Sequence, residues 1–391
     1  VALAFESLGI GTQILVSRRW GEKEPTGAGR VLLNSLALTF PLGLILSFLA
    51  IGEAFPLVGY LVDNPQVKEL SITYLKIRFL SLFFFLTITS FRGYFDGVGK
   101  TRIRMKYMIL VVTLNIFLNY LLIFGKWGFP RLEVAGAALA STLSMIAGAL
   151  YILICAWRDA NLRRYPFLRR KNFRFSISRQ IIHLSFPRGL RMFFTFSAFL
   201  ILYKIVGTLP RDVAAMAATN ILLTILSFSF MPGLGIGIAG ATLIGQSLGG
   251  RKYAAAFHYG WGSARFGALF MGLVGAIFII FPRPILTFFT PDPVVIGLAI
   301  MPLIILGAVQ LFDGLGTVLA QCLEGAGATH WVMWAELLIY WLFLLPLSYL
   351  LTIKLGWGLA GTWSSVGLTM VIYALVMIAK FNGKSWQKIK V

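Results

Sequence analysis

The sequence predicts an all-α integral membrane protein of two pseudo-symmetric helical lobes in a parallel repeat, with ten full transmembrane helices plus a partial one, of an original twelve. Three observations predict it. Of the 391 residues, 58% are apolar and 13% charged, and the mean hydropathy is +0.83, more apolar surface than a soluble core absorbs. Uncharged runs such as residues 31–50, 267–281 and 337–352 recur along the chain, near the ~20 residues that carry a helix across a ~30 Å hydrocarbon layer. Motifs of the first half return in order in the second.

Period-2 alternation is absent, and a bilayer admits only helices or closed barrels, so the runs are helices. The first is partial, near residues 1–19, and ends at Gly21 before charged residues. Helices follow near 31–53, 67–93, 105–125 and 134–157. A second group lies near 181–207, 213–247, 254–281, 294–321, 331–353 and 358–380. The expected domains are a lobe at 1–157, a basic cytoplasmic linker at 158–180 and a second lobe at 181–391 with a short basic tail. In the linker, Tyr165, Phe167, Phe173 and Phe175 among the arginines suit a segment lying at the membrane interface.

The repeat is legible residue by residue. Gly11-Thr12 and the segment to Gly21 lie over Ala239-Gly240 and the segment to Gly249. Phe55-Pro56 and Asp63-Asn64-Pro65 correspond to Phe281-Pro282 and Pro291-Asp292-Pro293. Asp96-Gly97-Val98-Gly99 corresponds to Glu324-Gly325-Ala326-Gly327, and Trp127-Gly128 with Ala135-Gly136 to Trp357-Gly358 with Ala360-Gly361. Both copies start and end in the same kind of loop, so their common axis is expected along the membrane normal. Nothing before Val1 matches Ser185 to about Phe228, so roughly 45 to 60 residues, the first helix and about half of the second, are expected upstream. On that expectation the 391-residue chain alone does not transport.

The formal charge of +21 excludes a nucleic-acid partner only when its distribution is read. Lys and Arg collect in alternate short loops, including Arg18, Arg19, Lys23 and Arg30, then Lys100 to Lys106, Arg158 to Arg179, and the tail with Lys384, Lys388 and Lys390. By the positive-inside rule these loops and the C-terminus are cytoplasmic, in a multi-pass protein of the plasma (inner) membrane. The two cysteines, Cys155 and Cys322, lie in apolar runs and form no disulfide framework. The three histidines, His183, His258 and His330, are too scattered for a metal cluster.

Several segments resemble the multidrug and toxic compound extrusion (MATE) family. Phe91 to Thr101 (FRGYFDGVGKT) is similar to its signature after the fourth helix, and Ala241 to Gly249 (ATLIGQSLG) to that closing the eighth. Leu311-Phe312-Asp313-Gly314 resembles its tenth helix and Asn115 to Gly125 (NIFLNYLLIFG) its fifth. The resemblance implies two six-helix lobes and a secondary active exporter of small organic, cationic or amphiphilic substrates. It works as an H⁺- or Na⁺-coupled antiporter by alternating access, as a monomer in the lipid bilayer, with no cofactor and no catalysis. The alternative within the superfamily is a lipid-linked oligosaccharide flippase or polysaccharide exporter, which would carry a strongly cationic central cavity. The chain departs from the family at Thr195, where some members place a seventh-helix Glu, and at Asn119, where some place an Asp.

Two nucleotide motifs fail on context. Gly235 to Gly240 spells G-x-G-x-x-G inside an apolar helix rather than after a strand. Gly93 to Thr101 is a residue too long for a phosphate loop. Asp313 is the main candidate, because an ionisable side chain in mid-helix is costly in hydrocarbon and functional by default. Gln310, Asp313, Thr317 and Gln321 follow at i, i+3, i+7 and i+11, one face of the helix, expected to line a polar cavity where Asp313 takes up a proton or cation. Asn115 and Asn119 share a face at i, i+4, equally suited to ligating a cation or to joining two helices. Glu6, Thr195 and Gln321 are weaker candidates. Arg191 and Arg265 are expected to anchor at the inner interface, Lys204 to snorkel outward near Pro210, and Glu336 to face the cytoplasmic opening.

Overall fold

The computed structural model describes residues 2–52, 58–59, 64–164, 172–209 and 212–389. The expected Phe55-Pro56 corner, Asp63, and the linker residues Tyr165, Phe167, Arg169, Arg170 and Lys171 lie outside the described residues. All regular structure among the described residues is helical, and ten of the helices are long and apolar enough to cross a membrane. The chain divides into two compact units, Val1–Ser185 and Phe186–Val391.

The first unit holds α1 (Ala2–Gly21), α2 (Pro25–Gly52), α3 (Pro65–Gly97), α4 (Thr101–Phe124), α5 (Glu133–Arg158) and the short α6 (Ala160–Arg164). Helix α7 (Phe175–Val206) begins in this unit and continues into the second. The second contains α8 (Asp212–Gly249), α9 (Tyr253–Ile280), the short α10 (Pro282–Phe289), α11 (Pro293–Gly325), the span Thr329–Lys354 (α12) and α13 (Gly358–Asn382). The short helices α6 and α10, each a few residues beside a long span, were not legible as hydrophobic runs.

The expected duplication reappears in helix pairing within each unit. In the first, α1 packs on α2 and α3, α2 on α3, α3 on α5 and α4 on α5. In the second, α8 packs on α9 and α11, α9 on α11, α11 on α13 and α12 on α13. Matching residues make matching contacts. Asn64 caps α3 by accepting from the backbone N–H of Gln66 and Val67, and Asp292 caps α11 from that of Val294, each with a proline at the first turn. These side chains satisfy donors that a helix start leaves open, and proline has none to lose there. At Gly97 a Cβ would lie 2.7 Å from Val16 Cγ1 and 3.0 Å from the Gln13 carbonyl oxygen; at Gly325 it would lie 2.5 Å from Ala241 Cα. Glycine at these two places lets α3 cross α1, and α11 cross α8, at backbone distance.

Helix α12 departs from the uniform helix the hydrophobic run predicts. It widens into π-helical turns at Ile339–Leu344 and again at Leu350–Lys354, on either side of Pro346. Proline has no N–H for the helical ladder and its ring crowds the carbonyl a turn earlier, and a locally wider turn relieves both. The first π turn begins three residues after Glu336, so the backbone is least regular just below that carboxylate.

Candidate functional site

The α11 stripe is buried as the spacing predicts, with Gln310, Asp313, Thr317 and Gln321 all inside the second unit. Thr317 Oγ1 donates to Asp313 Oδ1 at 3.4 Å, the one-turn contact expected for i, i+4. Ser229 of α8 donates to Gln310 Oε1 at 3.0 Å. Asp313 Oδ2 and Gln310 Nε2 are both buried without a hydrogen-bond partner. A carboxylate oxygen and an amide N–H so placed carry an open desolvation cost.

One turn further, the stripe ends in a network. Arg188 of α7 donates to Gln321 Oε1 at 3.1 Å and is paired with Glu324, the last acid of α11. Arg191, one turn along α7, bridges two helices: its Nη2 lies 3.1 Å from Glu324 Oε1 and its Nη1 donates to Glu336 Oε2 of α12 at 2.9 Å. Thr195 Oγ1 lies 2.8 Å from Glu336 Oε1 and 2.9 Å from the Arg191 carbonyl, so its one proton serves either acceptor. Tyr373 of α13 donates to Glu336 Oε2 at 3.2 Å.

Two sequence expectations change here. Arg191 is an internal cation rather than an interfacial anchor, with 14% of its side chain exposed, and Glu336, at the same exposure, is ion-paired rather than facing an opening. The reason is geometric: α7, α11 and α12 bring opposite charges within reach, and a mutual pair costs less than two unpaired charges in an apolar surround. Lys204 and Arg265 are exposed, and Arg265 stacks over the Trp261 ring at 5.8 Å. Arg188, Glu324, Glu336 and Tyr373 were missed as site residues. The signal that could have found them is the pair Arg188 and Arg191, at i, i+3 within a membrane-spanning helix, which demands acids on its neighbours.

In the first unit the candidates are held by protein partners. Arg92 Nη2 donates to Glu6 Oε1 at 3.0 Å, and Arg104 Nη1 to Asp96 Oδ2 at 2.7 Å. Asn119 Nδ2 donates to Asn115 Oδ1 at 3.1 Å, while Asn115 Nδ2 donates to Ser141 Oγ at 3.2 Å. Asn115 therefore joins α4 to α5 while Asn119 bonds along its own helix, and Asn119 Oδ1 is buried without a hydrogen-bond partner. Lys100 pairs with Asp159, which also caps α6 through the N–H of Asn161 and Leu162. At the other end of the linker, Asn34 of α2 accepts from the Arg174 N–H at 2.9 Å and from Ser178 at 3.2 Å, pinning the start of α7. No cluster of His, Cys, Asp and Glu suited to a metal occurs among the described residues.

A polytopic helical protein that keeps charge pairs and a half-satisfied carboxylate inside its bundles is a membrane transporter rather than an enzyme. Residues 1–121 and 187–350 match the MatE family model, and the chain belongs to that family. It is 27% identical over 390 residues to a probable multidrug resistance protein NorM of Thermotoga maritima, covering 97% of this chain and 81% of the relative. It is 29% identical over 373 residues to the probable NorM of Halalkalibacterium halodurans, covering 91% and 79%. Among solved structures it resembles a MOP superfamily transporter from Pyrococcus furiosus, reported under a reversed polarity of its binding pocket, with TM-score 0.90, 22% identity and coverage of 100% and 86%. An outward-facing multidrug resistance MATE family transporter gives TM-score 0.88, 21% identity and coverage of 100% and 86%. These likenesses fix the fold.

Proposed function

We propose that the full-length protein exports small organic cations or amphiphiles across the plasma membrane as an H⁺- or Na⁺-coupled antiporter. Its two lobes, 1–157 and 181–391 about the linker at 158–180, alternate access to a central site, with the C-terminus cytoplasmic and the protein monomeric. The observation that carries the reading is the buried Asp313, held on one oxygen by Thr317 and unpartnered on the other. A cation bound there neutralises the only member of the α11 stripe that is charged, so its arrival and departure change the electrostatics of the whole face. Gln310 and Thr317 hydrogen-bond either charge state, and Asn115, Asn119 and Glu6 supply further polar groups in the other lobe. The multidrug names of the NorM relatives support the substrate class. A flippase for anionic lipid-linked sugars would call for a cationic interior. In the second unit, Arg188 and Arg191 are instead opposed by Glu324, Glu336 and Asp313.

Equilibrium binding of a cationic dye, ethidium, to the purified protein tests the proposal. Asp313→Asn is nearly isosteric and removes the charge, so it is expected to weaken ethidium binding about tenfold or more, the scale of one desolvated charge-assisted contact. Unchanged affinity contradicts the proposal.

A further inference from the structure

Glu336 is the one acid of the second unit's network that depends on a shared cation. Glu324 is paired with both Arg188 and Arg191, so it keeps a guanidinium if Arg191 moves. Glu336 is paired with Arg191 alone among the described ion pairs, and its other donors are the neutral hydroxyls of Thr195 and Tyr373. The groups facing it from the packed helices are Arg191 and Thr195 of α7 and Tyr373 of α13.

We propose that Glu336 is a second cation-accepting site of this unit and that Arg191 is its internal occupant, displaced by a proton or by the charged nitrogen of a cationic substrate. The proposal rests on the reading that the second unit handles cations. The two oxygens of Glu336 already accept from Arg191, Thr195 and Tyr373, so a second cation reaches the carboxylate only where Arg191 leaves it, and occupancy is exclusive. Displaced Arg191 has a place to go, because Glu324 already lies 3.1 Å from its Nη2. Thr195 and Tyr373 can donate to the carboxylate whichever cation it holds, and their oxygens can accept from the protonated acid, so neither state is stranded. The exchange alters what ties α7 to α12. With Arg191 on Glu336 the two helices share an ion pair and a hydroxyl bond; after exchange only Thr195 remains between these groups. The adjoining π turn at Ile339–Leu344 is a place where α12 can take up the resulting shift.

Ethidium binding to the full-length protein, measured from pH 5.5 to 9, tests the exchange. Arg191→Gln removes the competitor and is expected to tighten binding about tenfold, the factor by which an occupant holding the site about nine-tenths of the time lowers apparent affinity. Arg191→Lys keeps the competitor and is expected to restore wild-type affinity. Glu336→Gln keeps amide contacts to Thr195 and Tyr373 while removing the charge; it is expected to abolish the tightening caused by Arg191→Gln and to flatten the loss of affinity as protons compete at low pH. If Arg191→Gln binds ethidium as wild type does or more weakly, or if Glu336→Gln leaves the pH profile unchanged, Arg191 is a structural clasp and the proposal is overturned. Should Arg191→Gln fail to give folded protein, the Glu336→Gln profile and the double variant, which removes both charges, decide on the same criterion. Failure of the Asp313 reading is distinguishable, because it appears as wild-type binding by Asp313→Asn whatever the Arg191 and Glu336 variants do.

Discussion

Glu324 occupies in the second unit the place Asp96 holds in the first: each is a buried acid one residue before a glycine packed on the backbone of a crossing helix. Their partners differ in origin. Asp96 is paired with Arg104 of the following helix, whereas Glu324 is paired with Arg188 and Arg191 of α7. The duplicated unit has thus kept its internal acid and recruited different cations to it.

This difference predicts unequal costs. Truncating one partner of a buried pair leaves an uncompensated charge and costs about 3–5 kcal/mol. Glu324→Gln takes the acid from Arg188 and leaves Arg191 with Glu336 alone, whereas Asp96→Asn takes one from Arg104, so thermal melting in detergent is expected to fall further for Glu324→Gln. Equal melting temperatures would mean that Arg188 is fully satisfied by its other contacts.

Glycine substitutions separate close crossings from open positions. Gly97→Ala and Gly325→Ala place a methyl against backbone or a β-branched side chain and are expected to destabilise by about 1–3 kcal/mol or more. Gly235→Ala meets nothing within 4 Å and is expected to be neutral or to stabilise by up to about 1 kcal/mol through helix propensity. Melting temperatures of the three variants check this, and a harmless Gly235→Ala also confirms that the G-x-G-x-x-G run is a helix segment with no ligand to cradle.

Asn115 and Asn119 together are expected to contribute the adhesion of one interhelical contact, that of Asn115 with Ser141. Asn115→Ala removes the bond to Ser141 and the acceptor of Asn119, and is expected to cost about 1 kcal/mol with ethidium affinity within about twofold of wild type. A larger loss of affinity would move these amides into the cation site.

Much of this was legible before the fold was known, for physical reasons. Hydrophobic runs, the Asn64-Pro65 and Asp292-Pro293 caps and the paired glycines are local signals, and each marked an element end or a crossing. That Gln310, Asp313, Thr317 and Gln321 share one face of α11 followed from helical spacing, whereas the burial of that helix on every side from Gly316 to Gly325 came from its neighbours. The Arg191–Glu336 pair did not, because its members stand 145 residues apart and each, taken singly, has an interfacial alternative that sequence spacing cannot exclude. The π turns of α12 were likewise hidden, since Pro346 announces a disturbance in the helix without saying which way it resolves.

Gradient-driven efflux from proteoliposomes tests the central claim, that a cation at Asp313 drives export. Full-length wild type and Asp313→Asn are reconstituted with trapped ethidium, and efflux is started by an inward H⁺ gradient or, separately, an inward Na⁺ gradient. The account predicts that one of the two gradients accelerates wild-type efflux and that neither accelerates Asp313→Asn, although the variant folds and inserts as wild type does. Wild-type rates from Asp313→Asn under the same gradient would contradict it.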